Sequence, residues 1–101
     1  MGGISEKGMS EWLQNLGVNS VAKINEIGEQ VVSDAAEYTP VLTGRLKAAW
    51  EMKPISKLGD NLVIKNDVEY ASEVEYGGVK NEPRMMLRKA LARVPKVITV
   101  D

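Results

Sequence analysis

The chain has 101 residues, 44% hydrophobic and 27% charged, with thirteen basic and fourteen acidic side chains for a net charge of -1. That length makes one domain with one core and leaves no room for a second. There is no Cys, no His and no Phe, which excludes disulfide frameworks, thiol nucleophiles, Cys/His zinc sites and histidine acid–base catalysis.

The core must therefore be built from Leu, Ile, Val, Ala and Met, with Trp12, Trp50, Tyr38, Tyr70 and Tyr76 as the aromatics. Met9, Trp12, Leu13 and Leu16 have the spacing of one helical face, and Gly17 stands where a left-handed C-cap belongs. Residues 1–17 are thus a short N-terminal helix or arm. Asn19 or Ser20 can cap a longer helix, along which Val21, Ile24, Gly28, Val31, Ala35 and Tyr38 recur at alternating intervals of three and four. The small residues in this stripe allow close approach of another backbone. A sheet of the same domain is the expected partner, and a coiled-coil dimer is the alternative. Thr39-Pro40 ends the helix, because proline disfavours helical backbone at the residue before it. Thr43-Gly44 is a turn, with Gly44 able to take a positive φ.

After that turn the period changes to two. Leu46, Ala48, Trp50 and Met52 alternate with Lys47, Ala49, Glu51 and Lys53, which predicts a half-buried strand over 46–54, with Pro54 marking an edge or a bulge. Gly59-Asp60-Asn61 turns the chain into a short strand over 61–66, completing an antiparallel hairpin. Tyr70, Ala71 and Val74 fit one face of a short helix over 68–76, closed by Gly77-Gly78. Pro83 opens a closing helix over 84–94, whose apolar face is Leu87, Ala90, Leu91 and Val94. Pro95 ends it. The tail, 95–101, carries Val97, Ile98 and Val100 as a last strand or an apolar anchor. The expected class is α+β in a single domain, 1–101.

Chemistry is hard to find in this chain. Glu73 and Glu75 are two apart and diverge on a helix. Glu69 and Glu73 share a face, but two carboxylates make a poor cation site. The serines have no histidine to activate them, and no phosphate-cradling glycine loop is present. No enzyme activity, cofactor or metal is expected. Charge is distributed in blocks. Asp67, Glu69, Glu73 and Glu75 stand without a base over 66–76, whereas 80–96 hold Lys80, Arg84, Arg88, Lys89, Arg93 and Lys96 against Glu82 alone. Such blocks pair internally or across copies. Near-neutral net charge gives no whole-chain footprint for nucleic acid. No apolar run approaches the ~18–20 residues of a membrane span, so a soluble protein made in the cytoplasm is expected.

Three motifs in order carry a family resemblance. Tyr38-Thr39-Pro40-Val41-Leu42-Thr43-Gly44-Arg45-Leu46 looks like an Ala-Pro-x-x-Thr-Gly-x-Leu signature. Residues 66–77 resemble Asn-x-x-x-Tyr-Ala-x-x-Val-Glu-x-Gly through Asn66, Tyr70, Ala71, Val74, Glu75 and Gly77. Pro83 to Leu91 is similar to a Pro-x-x-Phe-Leu-x-x-Ala-Leu closing helix, with Met86 where Phe is usual and Leu87 and Leu91 in place. Together they resemble the gene-product-ten-like tail-component family of lambda-like tailed phages. The resemblance implies a structural virion protein of the head–tail junction, acting in tail completion or head–tail joining, with tail terminator or head-closing stopper as neighbouring roles. It implies a cyclic homo-oligomer, six- or twelve-fold, with other neck, connector or tail-tube proteins as partners. It implies neither specific nucleic-acid binding nor a membrane. On this reading the signature residues are architectural. The acidic 67–75 segment would face the basic helix of the next copy, with Val97 and Ile98 adding an apolar anchor. Charge reversal at Arg88 and Arg93 would then weaken assembly and leave the monomer folded. A small DNA-binding protein, or a dimeric interaction module built on the 21–38 stripe, is the alternative from another class.

Overall fold

Three strands and five helices make up residues 2–40, 44–77 and 82–98, the part of the chain that the computed structural model describes, with 96–98 given as backbone only. Strands β1 (Ile4–Glu6), β2 (Trp50–Lys53) and β3 (Val63–Asn66) form an antiparallel sheet in the order β1-β3-β2. Trp50 stands opposite Asn66 and Lys53 opposite Val63, while Ile4 meets Asn66 on the other side. The helices are α1 (Met9–Asn15), α2 (Val21–Tyr38), α3 (Gly44–Ala48), α4 (Ala71–Tyr76) and α5 (Met86–Ile98). The α+β class follows.

Helix α2 organises the core. The Ser20 hydroxyl accepts from the Lys23 amide at 3.3 Å and caps its start, while Thr39 leaves the helix in extended backbone before Pro40. Ile24, Ile27, Val31 and Ala35 are buried against the sheet and α5, the isoleucines and the valine each contributing about 1.5–3 kcal/mol. Gly28 records how close the sheet comes: a Cβ there would collide with Met52 and lie 3.0 Å from Leu62. The apolar stripe of α2 is therefore spent inside the domain. That corrects the alternative of a dimer built on this stripe.

Several expected boundaries move. The strand expected over 46–54 begins only at Trp50, because 44–48 form helix α3. Arg, Leu, Lys and Ala are all good helix formers, and the alternation fails at Ala48, which is exposed. Gly44 accordingly opens a helix and does not turn the chain into a strand. Thr43 lies outside the described residues. The second strand is Val63–Asn66 rather than 61–66, and α4 starts at Ala71 rather than 68. The arm before α1 supplies β1, a third strand that makes β3 central. Pro95 does not end the closing helix, which runs through it to Ile98. Proline removes its own amide from the ladder and crowds the carbonyl four residues back, yet the backbone continues helical for three more residues. Val97 and Ile98 are thus helical, not a strand. Their side chains, and Val100, lie outside the described residues.

Candidate functional site

The three sequence motifs meet through three buried polar side chains. Thr39 is the first. Its hydroxyl donates to the Ala35 carbonyl at 2.7 Å, accepts from the Trp50 indole N–H at 2.9 Å and lies 3.2 Å from Met86 Sδ. One hydroxyl thereby ties the end of α2 to β2 and to the start of α5. A sulfur at position 86 is polarisable enough to sit against it.

Asn66 is the second, with no exposed surface. Its Nδ2 donates to the Leu46 carbonyl at 2.9 Å, and its Oδ1 accepts from the Val68 amide at 3.1 Å. The first bond satisfies a carbonyl of α3; the second turns the chain out of β3. Buried amides need such partners, since an unpaired one costs about 1–3 kcal/mol.

Glu75 is the third and the most constrained, at 0% exposure. Oε1 accepts from the Leu87 amide at 2.8 Å; Oε2 accepts from the Arg88 amide and from Arg88 Nε, both at 3.1 Å. The Arg88 Nη2 donates to the Glu75 carbonyl at 2.5 Å. The carboxylate thus caps the first turn of α5 from outside, where unpaired amides and the helix dipole favour an anion. The amides of Arg84 and Met85 donate to the carbonyls of Val74 and Glu75 at 2.9 and 3.1 Å. These bonds delay α5 to Met86, two residues past the expected start, and hold Met85 in the left-handed region at φ 52. Gly77, at φ 82, closes α4 where a side chain would be strained.

Those contacts redistribute the expected interface residues. Glu75 and Arg88 pair with each other, so Glu75 is unavailable to a neighbouring copy. Arg93 pairs with Asp34 of α2 at 3.2 Å, and Asp34 is buried; the carboxylate raises the Arg93 pKa. Glu69 takes a two-pronged bond from Arg45 at 3.0 and 2.8 Å, which lowers the Glu69 pKa and raises that of Arg45. Asp67 bridges Lys65, 3.1 Å away, which also faces Glu51 at 3.6 Å; the Asp67 bond raises the Lys65 pKa. Asp67, Glu69 and Glu75 of the acidic block, and Arg88 and Arg93 of the basic block, are thus paired within one copy. Reversing Arg88 or Arg93 would consequently strike the fold itself, which corrects the expectation of an intact monomer. Glu73 and Arg84 remain exposed, without an ion-pair partner among the described residues.

Of the signature positions, Leu46, Ala71 and Leu87 are buried in the core, and Pro40, Tyr70, Val74 and Gly77 are half-buried. Arg45 lies over the Tyr70 ring at 6.0 Å. Pro83 is exposed. Leu91 is half-buried and lines a groove of about 410 Å³ between α1 and α5, with Met9, Trp12, Ala92 and Pro95 around it and Glu6, Gly8 and Arg88 completing the lining. Asp34 has no signal in the sequence: it sits inside the apolar stripe of α2, a buried position that demands a cation. Asn66 opens the second motif, but the motif alone gives it no role.

Among the described residues no group of three or more Asp or Glu side chains stands close enough to hold a metal ion, and no helix is long and apolar enough to cross a membrane. Residues 7–77 match the family model described as "Bacteriophage HK97-gp10, putative tail-component". No curated protein and no solved structure matches the chain. The match takes in α1 to α4 and the first two motifs; the third motif, on α5, is bonded to them through Thr39 and Glu75. A family match over more than half of its length means that the chain belongs to the HK97-gp10-like family of phage tail components.

Proposed function

We propose that the chain is a structural virion protein of the head–tail junction, assembling as a six- or twelve-fold ring in tail completion or head–tail joining, without catalytic activity. One observation carries this reading beyond the family: each polar group that the motifs bury is bonded to another motif, and no buried side-chain polar atom among the described residues lacks a partner. The motifs build a rigid shape and hold no reactive group in reserve. A part that works by docking needs that rigidity. Of the two charged blocks, Glu73, Glu82 and Arg84 are exposed without an ion-pair partner among the described residues, and Lys89 lies over the Tyr38 ring at 5.6 Å. With Arg88 and Arg93 engaged by carboxylates, α5 offers few cations to phosphates, which favours a protein partner over nucleic acid.

The test is a phage unable to make this chain, viewed by negative-stain electron microscopy. Separate filled heads and unjoined tails, rescued by supplying the chain in trans, are expected. Normal particles would overturn the reading. Mass photometry of the chain mixed with tail-tube or connector protein should then reveal a ring-sized complex.

A further inference from the structure

The described surface divides by chemistry into faces of different use. The outer face of the sheet carries Glu51, Lys65 and Asp67, charges that satisfy each other in water. The open edge of β2 ends in Lys53-Pro54, with Lys47 and Lys57 also exposed; lysine and proline are what guards a free edge against pairing. The solvent side of α2 carries Glu26, Glu29, Ser33 and Glu37. The α1–α5 groove differs from all three, being lined mainly by apolar side chains. Beside it stands Tyr76, 60% exposed. The guanidinium of Arg88 lies 4.7 Å from the centre of the Tyr76 ring and also lines the groove, so a projecting aromatic and an apolar hollow abut on one face.

We propose that this face is self-complementary and pairs two copies of the chain about a twofold axis, Tyr76 of each entering the α1–α5 groove of the other. A knob and a hollow side by side meet the twofold condition that each patch contacts its counterpart twice. Charge favours the same occupant. Glu73 lies one turn from Tyr76 on α4 and is exposed, with no ion pair among the described residues; Lys7 is likewise exposed and unpaired, between two groove residues, Glu6 and Gly8. The knob arrives with a negative charge beside Lys7, while the Glu6 carboxylate in the lining is held by the Gly8 amide at 2.6 Å. Near the axis the two Arg88 side chains face each other. Each is already compensated by its own Glu75, so their approach carries little repulsion. The pairing goes beyond the tail-component reading and does not depend on it.

Sedimentation velocity of the full chain, from low to high micromolar concentration, tests the proposal. A reversible monomer–dimer equilibrium is expected, lost in Tyr76→Ser. Glu73→Lys and Lys7→Glu should each weaken dimerisation about fivefold, and the double variant should regain it, because the same pair is restored with its signs exchanged. Both charges are exposed, so circular dichroism should be unchanged. A chain that stays monomeric, one that closes into a larger ring on its own, or a double variant no better than the single ones would overturn the twofold pairing. A dimerisation-deficient variant that still completes tails would leave the tail-component reading standing, so the two readings fail separately.

Discussion

Replacing Glu75 by Gln tests the central claim about how the motifs hold together. The substitution keeps shape and volume and removes one charge. In the native protein the carboxylate accepts three hydrogen bonds, two from the first-turn amides of α5 and one from Arg88 Nε. Glutamine offers one acceptor oxygen and turns an NH2 toward a donor, so one or two of these bonds must break. Hydrogen bonds to charged groups contribute about 1.5–3 kcal/mol each, and breaking a buried ion pair costs about 3–5 kcal/mol. Arg88 is 41% exposed and can turn its guanidinium to water, which places the loss near the lower bound, about 2–3 kcal/mol. For a domain of this size that lowers the thermal midpoint by roughly 8–24 °C. Urea titration followed by tryptophan fluorescence should give a lower midpoint with an unchanged slope. Glu73→Gln, one turn away and exposed, is the control and should stay within about 0.5 kcal/mol of the native protein. A Glu75→Gln protein as stable as the Glu73→Gln control would refute the assignment of Glu75 as the anchor of α5.

Other substitutions probe the remaining junctions. Thr39→Val removes the acceptor of the buried Trp50 indole N–H and should cost about 1–3 kcal/mol in urea titration, whereas Thr39→Ser should recover most of it. Gly28→Ala gains helix propensity but forces Met52 and Leu62 aside, and a net loss of about 1–2 kcal/mol is expected from the thermal midpoint. The Arg45–Glu69 bond makes a pH-dependent contribution. The Glu69 pKa is lowered in the folded state from its ordinary 4.5, so the contribution is present above that value and is lost as pH falls through the folded one. The gap in stability between the native protein and Glu69→Gln should therefore close in acid, as read from urea midpoints at successive pH values.

Where a pattern ran over many residues, the sequence displayed it. Helix α2 has five turns of alternating spacing and a proline stop, and its bounds follow from those to within one residue, the cap standing open between Asn19 and Ser20 until the Ser20 hydroxyl is seen on the Lys23 amide. Short elements are different. Ile4, Ser5 and Glu6 are too few to show a period, and β1 exists because β3 offers them a second edge. Leu46 to Ala49 fit a strand pattern for four residues, but the first turn of a helix buries Leu46 equally well. Tertiary pairing, not local preference, decides both cases. Pro95 is misleading for a related reason. Near a helix end the ladder has few bonds left to lose, so proline is tolerated there at a smaller cost than in mid-helix.

The charges teach the opposite lesson. Their blocks were plain in the sequence, and the linear view invited an interface between copies. Pairing is decided by what stands opposite in space. Glu75 follows Val74 in a short helix whose last turn abuts the start of α5, so its carboxylate reaches amides that are twelve and thirteen residues further along. Asp34 occupies a position in the stripe of α2 that α5 covers, and Arg93 is the cation that covers it. A buried carboxylate without such a partner would be protonated or would unfold its surroundings. Each buried acid therefore implies a specific base. Four basic positions precede Arg88 within 45–57, and no count of charges selects Arg88 for Glu75 over them. The packing of α5 on α2, which the apolar faces of both helices drive, brings Arg93 to Asp34, while the backbone bonds from Arg84 and Met85 to α4 bring Arg88 to Glu75. The hydrophobic pattern thus sets the register of the first pair, and the junction of α4 with α5 sets that of the second.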